Sequence, residues 1–258
     1  MHRVHLASDL HLGVPNANDS RVRELRFIEW LEDAAAGKGR AAAGPATEIN
    51  LVGDVFDFWF EYKHAVPKGS VRLLGAIARI ADYGIPVHYH VGNNDLWTFG
   101  YFEEELGVIM HRDPIVREYD GLKCLIGHGD GIGPGDVGYK RLKGIFTSSF
   151  LQSAYRLIHP DLGIALASYL SRNSRARQGH LDSQIGDRED EWIWQYCKEY
   201  LTKEAIDCFI FGHRHLPMDF EVPAPDGKKA GRYINLGDWI KHFTSARIEA
   251  GVIHLDRP

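Results

Sequence analysis

Five short runs of β-branched and apolar residues recur along the chain, each closed by a turn and a small cluster of polar side chains. Val4-His5-Leu6-Ala7 leads to Ser8-Asp9-Leu10-His11, and Ile49-Asn50-Leu51-Val52 leads to Gly53-Asp54-Val55-Phe56-Asp57-Phe58-Trp59. Val87-His88-Tyr89-His90-Val91 leads to Gly92-Asn93-Asn94-Asp95, Lys123-Cys124-Leu125-Ile126 to Gly127-His128-Gly129-Asp130, and Cys208-Phe209-Ile210-Phe211 to Gly212-His213-Arg214-His215. Runs this short and this apolar, four of them bounded by Gly, predict buried strands rather than helices.

Between the first three runs the period changes. Arg21 to Ala36 carries Leu25, Ile28, Trp30 and Leu31 as an apolar stripe and predicts a helix, which the small-residue loop from Gly37 to Pro45 ends. Val71 to Tyr83 predicts a second helix, stopped by Gly84 and Pro86. Strand, helix and strand in alternation predict right-handed crossovers and a largely parallel inner sheet. Near the end, Tyr233 to Leu236 and Ala246 to Leu255 read as strands with no helix between them. A two-sheet sandwich flanked by helices, of the α/β class, accounts for both halves. The stretch between Asp130 and Gly212 is too long for a bare connection, so we expect one domain over 1–258 with a helical insertion, or lid, over 137–205.

Composition narrows the class. With 258 residues, 44% hydrophobic and 25% charged, the chain can bury one substantial core. A formal net charge of −5 argues against a general nucleic-acid binder. Cys124, Cys197 and Cys208 are odd in number and have no C-x-x-C spacing, which argues against a disulfide framework or zinc ribbon and fits a reducing cytosol. Met1 to Leu6 enters the first strand directly, so no signal peptide is expected there, and no run approaches the ~20 apolar residues of a membrane span. Any membrane contact is therefore expected to be peripheral.

The polar clusters carry the chemistry. An acid just past a strand end lies where open α/β sheets keep their ligands. Carboxylate and amide oxygens suit hard divalent cations and imidazole suits Mn, Fe or Zn, so a mixed Asp, His and Asn shell points to transition metals more than to Mg or Ca. Two such ions stand roughly 3.5–4 Å apart when one carboxylate bridges them and a shared water is made acidic. Asp54 is the natural bridge.

Asp9-Leu10-His11, Gly53-Asp54, Gly92-Asn93-Asn94-Asp95, Gly127-His128 and Gly212-His213-Arg214-His215 resemble, in order and from end to end, the five blocks of the calcineurin-like metallophosphoesterases. The Gly53–Trp59 stretch and the His128-Gly129-Asp130 block are most similar to the UDP-2,3-diacylglucosamine diphosphatases of lipid A synthesis within that superfamily. The resemblance implies one metal held by Asp9, His11, Asp54 and His215 and another by Asp54, Asn93, His128 and His213, with Mn²⁺ as the ion; the ligand types are also compatible with Fe or Zn. It implies catalytic roles for Asn93, Asp95 and His128, and hydrolysis of the phosphoanhydride of UDP-2,3-diacylglucosamine to UMP and 2,3-diacylglucosamine 1-phosphate. Position 94, His in much of the superfamily and Arg in these diphosphatases, is Asn here. An amide neither donates a proton as a general acid nor neutralises a phosphate, and Arg214 or a lid arginine are the candidate substitutes.

From Val137 to Gly179 seven Lys or Arg stand against a single acid, Asp161, among many Phe, Leu, Ile and Tyr. This reads as a greasy, basic helical cap suited to a phosphate-bearing amphiphile or an anionic membrane surface. An ordinary helical hairpin with a solvated basic rim gives the same pattern. The resemblance makes the cap a lid over acyl chains, with Asn94, Asp136, Tyr139, Asn173, Ser174 and Arg177 facing a UDP-diacylglucosamine substrate, and places the protein in the cytoplasm, peripherally on the inner membrane, with no nucleic acid and no obligate protein partner. Asp57, Asp95 and Asp130 read as groups that orient the site. His88 and His90 read as sheet residues, His2, His64, His111, His159 and His254 as surface, and His180 and His242 stay open. Trp59 and Trp97 read as packing behind the site, and Asp187 to Glu191 as an acidic first helical turn. Two rivals remain: a phosphodiesterase or nucleotide phosphatase with a soluble substrate, and a metal-poor protein-binding scaffold.

Overall fold

The computed structural model describes residues 1–38, 44–134, 137–178, 188–224 and 230–257; side chains at 137–139, 141, 142, 168 and 171–178 fall outside that description. Each predicted strand forms, because each alternates side chains between two buried layers. In the first sheet, β1 (Arg3–Ala7), β2 (Glu48–Val52), β3 (Val87–His90) and β4 (Ile109–His111) run parallel, and the antiparallel hairpin of β10 (Ser245–Glu249) and β11 (Val252–Asp256) extends it in the order β11-β10-β1-β2-β3-β4. The second sheet runs β5-β6-β7-β9-β8. Its centre is parallel, from β6 (Leu122–Ile126), β7 (Cys208–Phe211) and β9 (Gly231–Leu236), and its edges are the antiparallel β5 (Ile115–Tyr119) and β8 (Pro217–Val222).

The two sheets pack face to face over Val4, Leu6, Val52, Ile126, Ile210, Ile234 and Ile248. The alternate residues face outward. Ile49, Leu51 and Tyr89 meet α1 (Ala17–Ala36), α2 (Val71–Asp82) and α3 (Tyr101–Leu106) through Phe27, Leu31, Ile77 and Phe102, while Phe209, Phe211 and Tyr233 meet α7 (Trp192–Lys203). Helix, sheet, sheet and helix thus make four layers. The open ends of the central strands are left for the polar clusters.

Helix α1 starts at Ala17, four residues before the sequence pattern places it, because the Asn16 side chain accepts from the amides of Asn18 and Asp19 at 3.0 Å and caps the exposed first turn. Gly37, at φ +67°, closes its other end.

The expected 137–205 insertion divides in two. Helices α4 (Val137–Phe146), α5 (Ser149–Tyr155) and α6 (Pro160–Gln178) form the cap, with Phe150, Leu157 and Leu162 exposed at 77%, 88% and 67%. Helix α7 belongs to the core instead, since Ile193, Trp194, Cys197 and Leu201 are buried against the second sheet. The cap rests on an aromatic platform. Trp97 Nε1 donates to the Phe146 carbonyl at 2.8 Å, and the Tyr155 ring lies 4.6 Å from Phe60 and 4.9 Å from Trp97. Trp97 therefore lies under the cap, whereas Trp59 packs behind the site in the first sheet's helical layer.

Candidate metal centre

The loops that follow β1, β2 and β3 stay laced together beyond the sheet. Asp9 N donates to Gly53 O at 3.1 Å, His11 N to Asp54 O at 2.9 Å, and Trp59 N to Asn94 O at 3.2 Å. The lacing holds the backbone in an unusual state. Nine non-glycine residues among those described have positive φ, and five of them are Asp9, His11, Asp54, His213 and His215, between +46° and +68°. Left-handed backbone at bulky side chains is costly and persists where the surroundings over-determine it, as at functional sites.

These turns aim the donors inward in two groups. In the first, His11 Nε2 lies 3.1 Å from His215 Nε2, 3.6 Å from Asp9 Oδ1 and 3.5 Å from Asp54 Oδ2, and His215 Nε2 lies 3.3 Å from Asp9 Oδ1. In the second, Asn93 Oδ1 lies 2.9 Å from His213 Nδ1 and 3.2 Å from His128 Nε2, which is 3.5 Å from Asp54 Oδ2. Asp54 faces both. The spacing fits a metal: two atoms each about 2.1 Å from one ion stand roughly 3.0–3.4 Å apart at tetrahedral or octahedral angles. Asp9 Oδ1 gives a second sign of fit: it is buried and makes no well-formed hydrogen bond among the described residues, with only the His215 and His11 imidazoles beside it at 3.3 and 3.6 Å. A divalent cation bound there would satisfy that oxygen and separate the facing imidazoles.

A surrounding shell fixes each donor. His128 Nδ1 meets the Val52 carbonyl at 2.9 Å, which turns Nε2 to the centre, and His11 Nδ1 faces Asp57 Oδ1 at 3.5 Å. Asp57 thus orients a ligand, as the sequence suggests. The His213 amide holds Asp9 Oδ2 at 2.9 Å, leaving Oδ1 for the metal. Gly92 and Gly53 lie so close to Asp54 and to His128 that a methyl group at either would collide with them.

Three residues stand away from the roles the resemblance offers. Asp95 does not face the donors and instead orients the site, the other role read for it in the sequence: its carboxylate accepts from the Val55 and Gly92 amides at 2.9 and 2.7 Å and from the Tyr89 hydroxyl at 2.6 Å, so it positions the two ligand loops from behind. Asn94 turns to Asp54, donating from its backbone and side chain at 2.8 and 2.6 Å, and so supports a ligand. Arg214, offered as a replacement cation, is buried with Nε on Glu191 at 2.9 Å and its guanidinium 4.3 Å from the Trp192 ring, where it anchors the start of α7.

Electrostatics follow from burial and pairing. Burial opposes ionisation of Asp9 and Asp54, yet the neighbouring histidines hold both well below the usual carboxylate range. Burial would likewise lower His11, but Asp57, Asp9 and Asp54 outweigh it and lift the imidazole to about 9. His213 falls to about 4 through burial and the charge of His128. Burial and the Asp54 charge raise Asp95 to about 6.

Asp136, His180 and Asp187 lie outside the described residues. Tyr139 is on α4, and Asn173, Ser174 and Arg177 are on α6, with side chains beyond the description. His242 packs beside Asp238 at 3.4 Å and His88 lies in the sheet, while His90 bonds Asn50 at 3.1 Å. His111, read as surface, is half-buried and bonded to His88 at 2.7 Å. Asp238 also follows a strand end: it stands 3.9 Å from His215 Nδ1, and Gly237-Asp238 after β9 repeats the strand, Gly, acid order of Gly53-Asp54.

The two-sheet fold and the paired groups of donors resemble those of the calcineurin-like metallophosphoesterases. The comparisons place it further. The chain is 32% identical to a UDP-2,3-diacylglucosamine hydrolase of Porphyromonas gingivalis, over 95% of this chain and 93% of that protein, and 27% identical to a UDP-2,3-diacylglucosamine hydrolase of Nitrosococcus oceani over 93% and 94%. The chain belongs to the UDP-2,3-diacylglucosamine hydrolase family. Among solved structures, YfcE, a phosphoesterase from Escherichia coli, is similar at 12% identity with a TM-score of 0.45, covering 97% of this chain and 90% of that one. No family model matches the chain.

Proposed function

We propose that the protein hydrolyses the phosphoanhydride of UDP-2,3-diacylglucosamine, giving UMP and 2,3-diacylglucosamine 1-phosphate for lipid A. The observation that carries this is the convergence of Asp9, His11, Asp54, His128 and His215, with Asn93 and His213 beside them, in a chain that matches a hydrolase of that name along almost its whole length. Two divalent ions at the centre, Mn²⁺ by resemblance, would supply an acidified water and neutralise phosphate charge. Asp54 spans both groups of donors, and Asp57 and the Val52 carbonyl set the faces of His11 and His128. Asn93 presents its carbonyl to His128 and His213, which leaves its amide N–H groups to the equatorial phosphate oxygens. Asn94 supplies no charge, a lesser loss for an anhydride, whose leaving group is a phosphate with a second pKa of about 6.

The cap supports a lipid substrate. Its exposed Phe150, Leu157, Leu162 and Leu170 offer apolar surface for acyl chains and for the inner face of the cytoplasmic membrane. No helix among the described residues is long and apolar enough to cross a membrane. The test is Mn²⁺-dependent UMP release from UDP-2,3-diacylglucosamine, with Asp54→Ala as blank and an aryl phosphodiester as competitor. Ester turnover without UMP release would keep the metal centre and retire the lipid substrate.

A further inference from the structure

Beside the His128 face of the centre lies a cavity of about 200 Å³ that the reading above leaves unused. His90, His111, Arg112, His128, Asp130 and Lys143 contribute to its wall. It shares a metal donor with the centre, so a phosphate at the metals is adjacent to whatever the cavity holds. Its polar character sets it apart from the cap's exposed Phe150, Leu151, Leu157 and Leu162.

Lys143 is the notable member. It arises from α4, in the cap, and crosses to the core, where Nζ lies 2.6 Å from Asp130 Oδ2, two residues past His128. Among the described side chains of the cap, it alone forms an ion pair with the core; the cap is also held by the aromatic platform, by Lys140 Nζ on the Gly133 carbonyl and by the Arg156 guanidinium, 4.3 Å from the Phe99 ring. Arg112 brings a second cation, steadied by Thr98 O at 2.6 Å. A lysine ammonium is a compact charge on a flexible stem, able to exchange one anionic partner for another without moving its helix.

We propose that this cavity is the subsite for the nucleotide half of the substrate, and that Lys143 exchanges Asp130 for a nucleotide phosphate oxygen as the substrate seats. The volume admits a pyrimidine nucleoside fragment and not a long acyl chain, which assigns the acyl half to the apolar cap. The inference rests on the proposed function for its substrate, though not for its geometry. It makes Lys143 a substrate-binding residue that reports docking of the cap.

The test is calorimetric binding of the two products to the full-length Mn²⁺-loaded protein, UMP in one arm and 2,3-diacylglucosamine 1-phosphate in the other, with UDP-2,3-diacylglucosamine turnover by the wild type measured alongside. Lys143→Ala should weaken UMP about tenfold or more, the scale for losing a charged hydrogen-bond partner. The lipid phosphate should change by less than about threefold, and Lys143→Arg should recover most of the UMP affinity. Weakening confined to the lipid phosphate would overturn the nucleotide assignment. Unchanged affinity for UMP in Lys143→Ala and in the isosteric Lys143→Met would remove the subsite. Equal loss in Lys143→Arg would reduce the ion pair to a structural tie. If the wild type releases no UMP from the lipid substrate yet binds UMP through Lys143, the proposed function fails while the nucleotide site stands.

Discussion

Gly92→Ala tests how closely the centre is packed. The φ of Gly92 is not in the left-handed region, so alanine meets no backbone penalty there, and the effect is steric. An added methyl would stand 3.0 Å from Asp54 Cγ and closer still to the Asp54 amide nitrogen and Oδ1. Ordinary contacts are about 3.5–4.0 Å, so Asp54 must retreat by roughly 1 Å or more to clear its nearest atoms. Metal ligands tolerate about 0.2 Å, and a misplacement near 1 Å costs about 100-fold in rate. Overpacking costs about 1–3 kcal/mol, or roughly 2–12 °C in Tm for a chain of this size. The expected result is a folded protein that retains less metal by elemental analysis and turns over at about one hundredth of the wild-type rate. Wild-type turnover and metal content in a folded Gly92→Ala protein would refute the packing argument.

Asp57→Asn removes the carboxylate that orients His11 and should lower metal affinity about 10–100-fold, read by chelator competition; unchanged affinity would sever Asp57 from the centre. Asn94→Ala deletes a 2.6 Å hydrogen bond to the ionised Asp54, a loss of about 1.5–3 kcal/mol, and should show in the same assay as about tenfold or more. His90 is buried, and burial together with the charges of His111 and His88 holds its imidazole well below the usual 6.5. It stays neutral in the fold while the unfolded chain takes up a proton, so its share of stability is full above about pH 6.5 and drains away as pH falls. Denaturant midpoints should decline from about pH 7 to 5, and less steeply in His90→Gln; parallel slopes would exclude His90.

Central strands were the readable part of the fold, because burial on both faces leaves an apolar run that even one sequence shows. The strands that went unread, β4, β5 and β8, are all sheet edges, where one side faces solvent and the signal thins. The Asp120-Gly121 turn between β5 and β6, at φ +50° and +86°, was the available clue. Helix α7 was absorbed into the cap for a related reason: Ile193, Trp194, Cys197 and Leu201 form a helical stripe whether they meet a lid or a sheet, and only topology distinguishes the two. The seven donors were legible as strand-end clusters, but their partners were not. Nothing in Asn94 announces that it turns to Asp54, or in Lys143 that it crosses from the cap to Asp130, since both contacts join residues distant in sequence.

The most direct measurement is mass spectrometry of the products after a turnover of UDP-2,3-diacylglucosamine in ¹⁸O-labelled water. The resemblance implies attack on the α-phosphorus, the one bonded to the nucleoside, and so predicts UMP carrying one ¹⁸O and unlabelled 2,3-diacylglucosamine 1-phosphate, both absent with Asp54→Ala. Label in the lipid phosphate would place the attack on the other phosphorus, and intact substrate under Mn²⁺ would contradict the hydrolytic assignment itself.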